Sequence, residues 1–258
     1  MLAACGTLEA RSVSGALTKF GALAECGAVP KNTPPGHKDG WGIAAYDPHG
    51  RIVAHEKEPR SAADNPAFAV VVEKIAIVKP MLFVAHLRKA SVGGVTPENT
   101  QPHVYENFLF CHNGTVKDFE SLPLEKAYTK LRKGASDSEW LFYYLVQEIR
   151  KNTTSLEMAV KNFIEKIRLL KYTACNALFS DGKILYAIRE VNEKNERVIE
   201  GNLCDFYYTL FLGKIANQKA KIICSQRLDL EGITWSEIPN HAMAVVDLQT
   251  GREKIVAM

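Results

Sequence analysis

Three short polar clusters fall between Val84 and Gly114: His86-Leu87-Arg88, Asn99-Thr100-Gln101-Pro102-His103 and Cys111-His112-Asn113-Gly114. Arg88 supplies a permanent cation whose planar fork can hold a carboxylate through two parallel N–H donors. Asn113 offers an amide donor, and Gly114 lets a substrate come close to its own backbone N–H. Together they could form an oxyanion hole for the tetrahedral intermediate of an acyl transfer. Asn-Gly is equally a common turn dipeptide. The stretch carries no nucleophile of its own, so the rest of the chain must supply one if the chemistry is covalent.

The elements that must position these groups are short and apolar. Met81 to Ala85 and Phe108 to Phe110 read as buried strands, with the polar groups at their tips lining a cleft. Upstream, Cys5-Gly6-Thr7-Leu8 leads into an amphipathic helix that ends near Gly27. For Cys5 the ordinary expectation is a small buried apolar residue, the usual state of a free cysteine. Gly40 to Tyr46 and Arg51 to His55 form a hairpin about the turn Asp47-Pro48-His49-Gly50. Gly40 and Gly42 flank Trp41, which suggests close backbone approach to a neighbouring strand or to a ligand. Asn65-Pro66 opens a helix through Ile77. Ser136-Asp137-Ser138-Glu139 is a capping box on the next helix, placing Asp137 in the first turn where the macrodipole favours its charge. Thr154 to Glu157 caps another. From Ala174 onward the chain reads as hairpin strands, including Phe206 to Leu212, with a charged loop at Asn192 to Gly201.

Composition excludes several classes. With 32 basic and 29 acidic residues in 258, the net charge of +3 gives no footprint for nucleic acid. No apolar run approaches the roughly 20 residues that span a bilayer. Leu2-Ala3-Ala4-Cys5 looks like a lipoprotein box, but no charged or apolar leader region precedes it. Six widely spaced cysteines without a Cys-x-x-Cys pair argue against a zinc site and for reduced thiols, hence for a cytoplasmic protein with no metal or other cofactor. No linker, repeat or low-complexity segment divides the chain, so residues 1–258 are expected to form one domain.

In their order, Cys5-Gly6, His37-Lys38-Asp39-Gly40-Trp41-Gly42, Ala85-His86-Leu87-Arg88, Asn99-Thr100-Gln101-Pro102, Cys111-His112-Asn113-Gly114 and Ser136-Asp137-Ser138-Glu139 resemble the glutaminase domain of class II, N-terminal-nucleophile glutamine amidotransferases, especially the small stand-alone members. The resemblance implies an α+β fold, a four-layer αββα sandwich of two antiparallel sheets of the Ntn-hydrolase type. It also implies the nucleophile: Cys5 would form a γ-glutamyl thioester, with its own α-amine as general base. Asn113 and the Gly114 N–H would hold the oxyanion, Arg88 the substrate α-carboxylate and Asp137 its α-ammonium, with His86, Gly40 and Trp41 beside the substrate. Glutamine or another γ-glutamyl compound would be the ligand, and ammonia would pass to water or to an acceptor protein. The competing class is a non-enzymatic γ-glutamyl sensor or scaffold. Two features depart from the pattern. Gln101 stands where relatives often carry His, and Met1-Leu2-Ala3-Ala4 precede Cys5, so either those four residues are removed or the chain starts differently in the cell, and activity is expected to depend on a free Cys5 amine.

Overall fold

The run Leu2-Ala3-Ala4-Cys5 is strand β1 (Leu2–Cys5), and all four of its residues are buried. In the computed structural model, which describes residues 1–29, 33–151, 155–195, 207–215 and 219–258, the chain continues with α1 (Ala10–Cys26), the hairpin β2 (Gly40–Tyr46) and β3 (Ile52–Glu58), α2 (Pro66–Val78) and β4 (Leu82–Arg88). Next come β5 (His103–Tyr105), β6 (Phe108–Val116), the single turn α3 (Lys126–Thr129), and the helices α4 (Asp137–Lys151) and α5 (Leu156–Ile167). The last third is β7 (Tyr172–Ser180), β8 (Ile184–Arg189), β9 (Phe211–Ile215), β10 (Lys221–Cys224), β11 (Ile233–Glu237), β12 (Ala242–Asp247) and β13 (Glu253–Ala257).

The strands form two antiparallel sheets, one ordered β11-β9-β10-β1-β4-β2-β3 and the other β13-β12-β8-β7-β6-β5. Because side chains alternate along a strand, each sheet has two faces to cover. Leu2 and Ala4 pack with Val13, Leu17 and Phe20 of α1 and Phe68 and Val72 of α2. Met1, Ala3 and Cys5 point the other way, into a core shared with Leu109, Cys111, Leu178 and Ala187 of the second sheet. The far face of that sheet, with Phe110, Phe179 and Tyr186, is covered by Leu141 and Leu145 of α4 and Phe163 of α5. The layers therefore run helices, sheet, sheet, helices, as the resemblance implied. No helix among the described residues is long and apolar enough to cross a membrane.

Local rules account for most boundaries. Asn65 caps α2 by accepting from the N–H groups of Ala67 and Phe68, with Pro66 in the first turn. Asp47 closes the β2–β3 turn through the N–H groups of His49 and Arg51. Three expectations need correction. The cap of α5 is Ser155, which accepts from Met158 N–H; Thr154, like residues 196–201 of the charged loop and Phe206, lies outside the described residues. The strand expected from 206 begins at Phe211. At α4, Ser136 Oγ accepts from Glu139 N–H, but the Glu139 carboxylate turns to the N–H groups of Lys133 and Gly134, so only half of a capping box forms.

Candidate functional site

β1 and β4 are antiparallel, with Leu2 opposite Ala85 and Cys5 opposite Leu82. The amino end of β1 therefore lies beside the carboxyl end of β4. Leu82 and Val84 of β4 face the core between the sheets. Continuing the alternation puts His86 and Arg88 on that same face, where the core gives way to a cleft at the end of the sandwich. This cleft is lined by Met1, His86, Arg88, Asn113, Gly114 and Asp137, among others, and has a volume of ≈ 80 Å³. At about 10–15 Å³ for each water-sized position, that is room for several waters or the polar groups of a small ligand.

Arg88 and Asp137 are 4% and 3% exposed. Two Arg88 donors are taken by loop carbonyls, Nη1 to Gly94 and Nη2 to Val92. A guanidinium has five N–H groups, so three remain for a ligand. Burial lowers the Arg88 pKa, and the nearby carboxylates of Asp39 and Asp137 work against that shift. Asp137 begins α4 and accepts from the N–H groups of Val116 (2.9 Å) and Ser138 (2.8 Å). Arg88 and Asp137 do not pair with each other. They are two opposite buried charges facing one cleft, which is what a zwitterionic ligand would neutralise.

The amide end is built by β6. Gly114 has φ +145°, and a methyl group added there would sit 1.9 Å from the Ala174 carbonyl oxygen, so only glycine fits. The register with β7 shifts between Gly114 and Val116. The regular ladder therefore ends at Gly114, and Asn113 and Gly114, its last two residues, line the cleft.

Three imidazoles surround these groups. Burial pushes His86 well below the usual histidine range, reinforced by the chain's amino terminus, His37 and Arg88. Burial takes His37 down to about 4, helped by the amino terminus and Lys89. His112 is likewise lowered by burial. All three are neutral at pH 7, so they add no positive charge to the Arg88 side of the cleft.

Other expected site residues lie elsewhere. Cys5 is not at the site. Its partner Leu82 lies six residue steps along β4 from Arg88, which at about 3.3 Å per step is roughly 20 Å. Cys5 is 2% exposed and lies in the inter-sheet core, and burial raises its thiol pKa to about 12. Removing Met1 to Ala4 would not free this residue beside the cleft. It would delete most of the central strand of the larger sheet. Trp41 is also away from the cleft, because Trp41, Ile43 and Ala45 face the helices; its ring meets Phe68 edge-on at 5.2 Å. Gly40 pairs with Arg88 across β2 and β4, so it supports the site from behind. Asp39 adds to that support by accepting from Ala90 N–H.

Two residues carry more of the site than their sequence signal indicated. Asn99 Oδ1 accepts from the N–H groups of Ala135 and Ser136, and its Nδ2 donates to the Gly94 carbonyl. It thereby ties the loop that holds Arg88 to the start of α4. Gln101 makes three buried hydrogen bonds to His112 and Ser138. Both lay in a motif singled out from sequence, but nothing local pointed to their partners.

A family model described as class-II glutamine amidotransferases matches residues 15–247. An uncharacterised protein of Methanocaldococcus jannaschii is 35% identical over 175 residues, 64% of this chain and 46% of its own length. A Haemophilus influenzae protein named as a candidate glutamine amidotransferase is 30% identical over 223 residues, 79% of this chain and 71% of its own. The chain thus spans under half the length of the first of these relatives. Among solved structures, the glutamine phosphoribosylpyrophosphate amidotransferase of B. subtilis superimposes with a TM-score of 0.64 at 18% identity, over 99% of this chain and 48% of that one. At that identity the likeness is one of fold.

Proposed function

Since the chain belongs to the class-II glutamine amidotransferases, we propose that its cleft recognises L-glutamine or a related γ-glutamyl amide and serves an amidohydrolase reaction releasing ammonia to water or to an acceptor protein. The observation that carries this reading is the pair of opposite, buried charges, Arg88 and Asp137, which form no salt bridge with each other and face the cleft that Asn113 and Gly114 also line. Arg88 takes the α-carboxylate with its remaining donors. Asp137 takes the α-ammonium with lone pairs its two N–H partners leave free. The Asn113 amide and the Gly114 N–H meet the side-chain carboxamide, where an oxyanion would develop.

A second reading, a γ-glutamyl sensor or scaffold that binds without turnover, is favoured by one observation. No cysteine is among the described residues lining the cleft, and Cys204 lies outside the described residues. Calorimetric titration with L-glutamine, run beside an ammonia-release assay on the same protein, separates the two. Binding with ammonia release supports the amidohydrolase; binding without it supports the sensor. No binding of L-glutamine or any γ-glutamyl amide would defeat both.

A further inference from the structure

We infer that Gln101 is a positioning residue that locks the amide end of the cleft to its ammonium end, an inference that rests on the γ-glutamyl reading above. Gln101 is 5% exposed. Its Oε1 accepts from His112 N–H at 2.6 Å, while its Nε2 donates to the His112 carbonyl at 3.1 Å and to Ser138 Oγ at 3.2 Å. His112 immediately precedes Asn113 and Gly114 on β6, and Ser138 immediately follows Asp137 on α4. One side chain therefore grips both elements that carry the two ends of the site.

The chain of contacts continues beyond Gln101. His112 Nε2 faces the Ala174 carbonyl at 3.4 Å, so that nitrogen carries the proton. Nδ1 is then free to accept, and it faces Ser138 Oγ at 3.0 Å. Ser138 Oγ thus receives from Gln101 and lies within reach of both His112 Nδ1 at 3.0 Å and Asp137 Oδ1 at 3.3 Å, and its N–H holds Asp137 Oδ1 as well. A carboxamide suits this place because its acceptor and donors lie on one small plane and can return both the N–H and the C=O of a single residue. An imidazole, whose two nitrogens point away from each other, cannot address both groups of His112 at once.

The function assigned to Gln101 is to fix the separation and orientation of Asp137 relative to Asn113 and Gly114. The test is selectivity rather than affinity alone. Wild-type protein should bind L-glutamine at least about tenfold more tightly than glutaramate, the same molecule without the α-ammonium, as a charge-assisted hydrogen bond implies. Gln101→Glu keeps the shape and the acceptor for His112 N–H but loses both donated bonds; Gln101→Met keeps the length and loses all three. In either folded variant the preference should fall to about threefold or less, because a misplaced Asp137 no longer rewards the ammonium. A purely structural role would weaken both ligands in parallel and leave the ratio unchanged, which overturns the inference. If one variant fails to fold, the other decides. Wild-type protein that binds both ligands equally gives the ammonium no reward for Gln101 to protect and overturns the inference before any variant is made, whereas wild-type protein that binds no γ-glutamyl amide at all refutes the γ-glutamyl reading itself.

Discussion

The two ends of the β1–β4 strand pair face the same inter-sheet core, yet they differ in chemistry. At one end Met1, His86 and Arg88 border a cleft. At the other, Cys5 and Leu82 are closed within aliphatic packing. The residue that looked most reactive in sequence sits at the inert end, and burial rather than identity decides which thiol or imidazole can act. Cys5, Cys111 and Cys224 are all pushed up to about 12 by burial, so none is a thiolate at neutral pH.

The most severe way to break this comparison is to remove residues 1–4 so that Cys5 becomes the first residue. β1 is hydrogen-bonded on both sides, to β10 and β4, and Leu2 alone contributes about 1.5–3 kcal/mol by burial. Against a total stability of about 5–15 kcal/mol, the truncated protein should lose its cooperative thermal transition. A truncated protein that melts like the parent and releases ammonia from glutamine would restore Cys5 as the nucleophile.

Gly114→Ala should come next. A left-handed φ costs a non-glycine residue about 1–3 kcal/mol, and the methyl must also displace the Ala174 carbonyl, so glutamine binding should fall below detection by calorimetry. Retained binding at the wild-type level would place the amide elsewhere. Arg88→Lys keeps the charge but not the fork, and it releases the carbonyls of Val92 and Gly94. Glutamine affinity should drop about 10- to 100-fold, the range of a hydrogen bond to a charged group. An unchanged dissociation constant would remove Arg88 from the carboxylate site.

The smallest effects sharpen the contrast from the inert side. Cys5→Ala should leave glutamine affinity unchanged and lower stability by about 1 kcal/mol; a loss of binding would bring the far end of β1 back into the site. Acidification offers a complementary readout from the active end. The folded pKa of His37, about 4, lies below its ordinary value of 6.5, so the unfolded state binds the extra proton first. Stability is full above pH 6.5 and should decline as pH falls from there toward 4, with His86 contributing in the same direction. Thermal midpoints across that range check the sign.

Much of the site was legible from residue order. The motifs around Arg88, Asn113-Gly114 and Asp137 contribute to one cleft, as expected, because each sits at the tip of a strand or the first turn of a helix, places that local patterning marks. The sandwich followed from the resemblance and from hairpin-rich patterning. Short edge strands such as β5 and β13 carried too few residues for their alternation to stand out, and Glu139 was misread because its backbone partners lie before the helix rather than at its cap.

The amino-acid sequence by itself determined which chemical groups this protein has and where its caps, turns and strand tips fall, since those depend on neighbours within a few residues. Only the tertiary structure decided which groups meet. Leu2 opposite Ala85, and hence Cys5 opposite Leu82, is a register between segments some eighty residues apart, set by how two apolar faces fill the helix-side and inter-sheet cores. Gln101 gripping His112 and Ser138 is likewise a meeting of three segments. Alternation with period two identifies the faces of a strand but not its partner's alignment along it, and a slide along β4 is what separates a residue at the cleft from one sealed in the core.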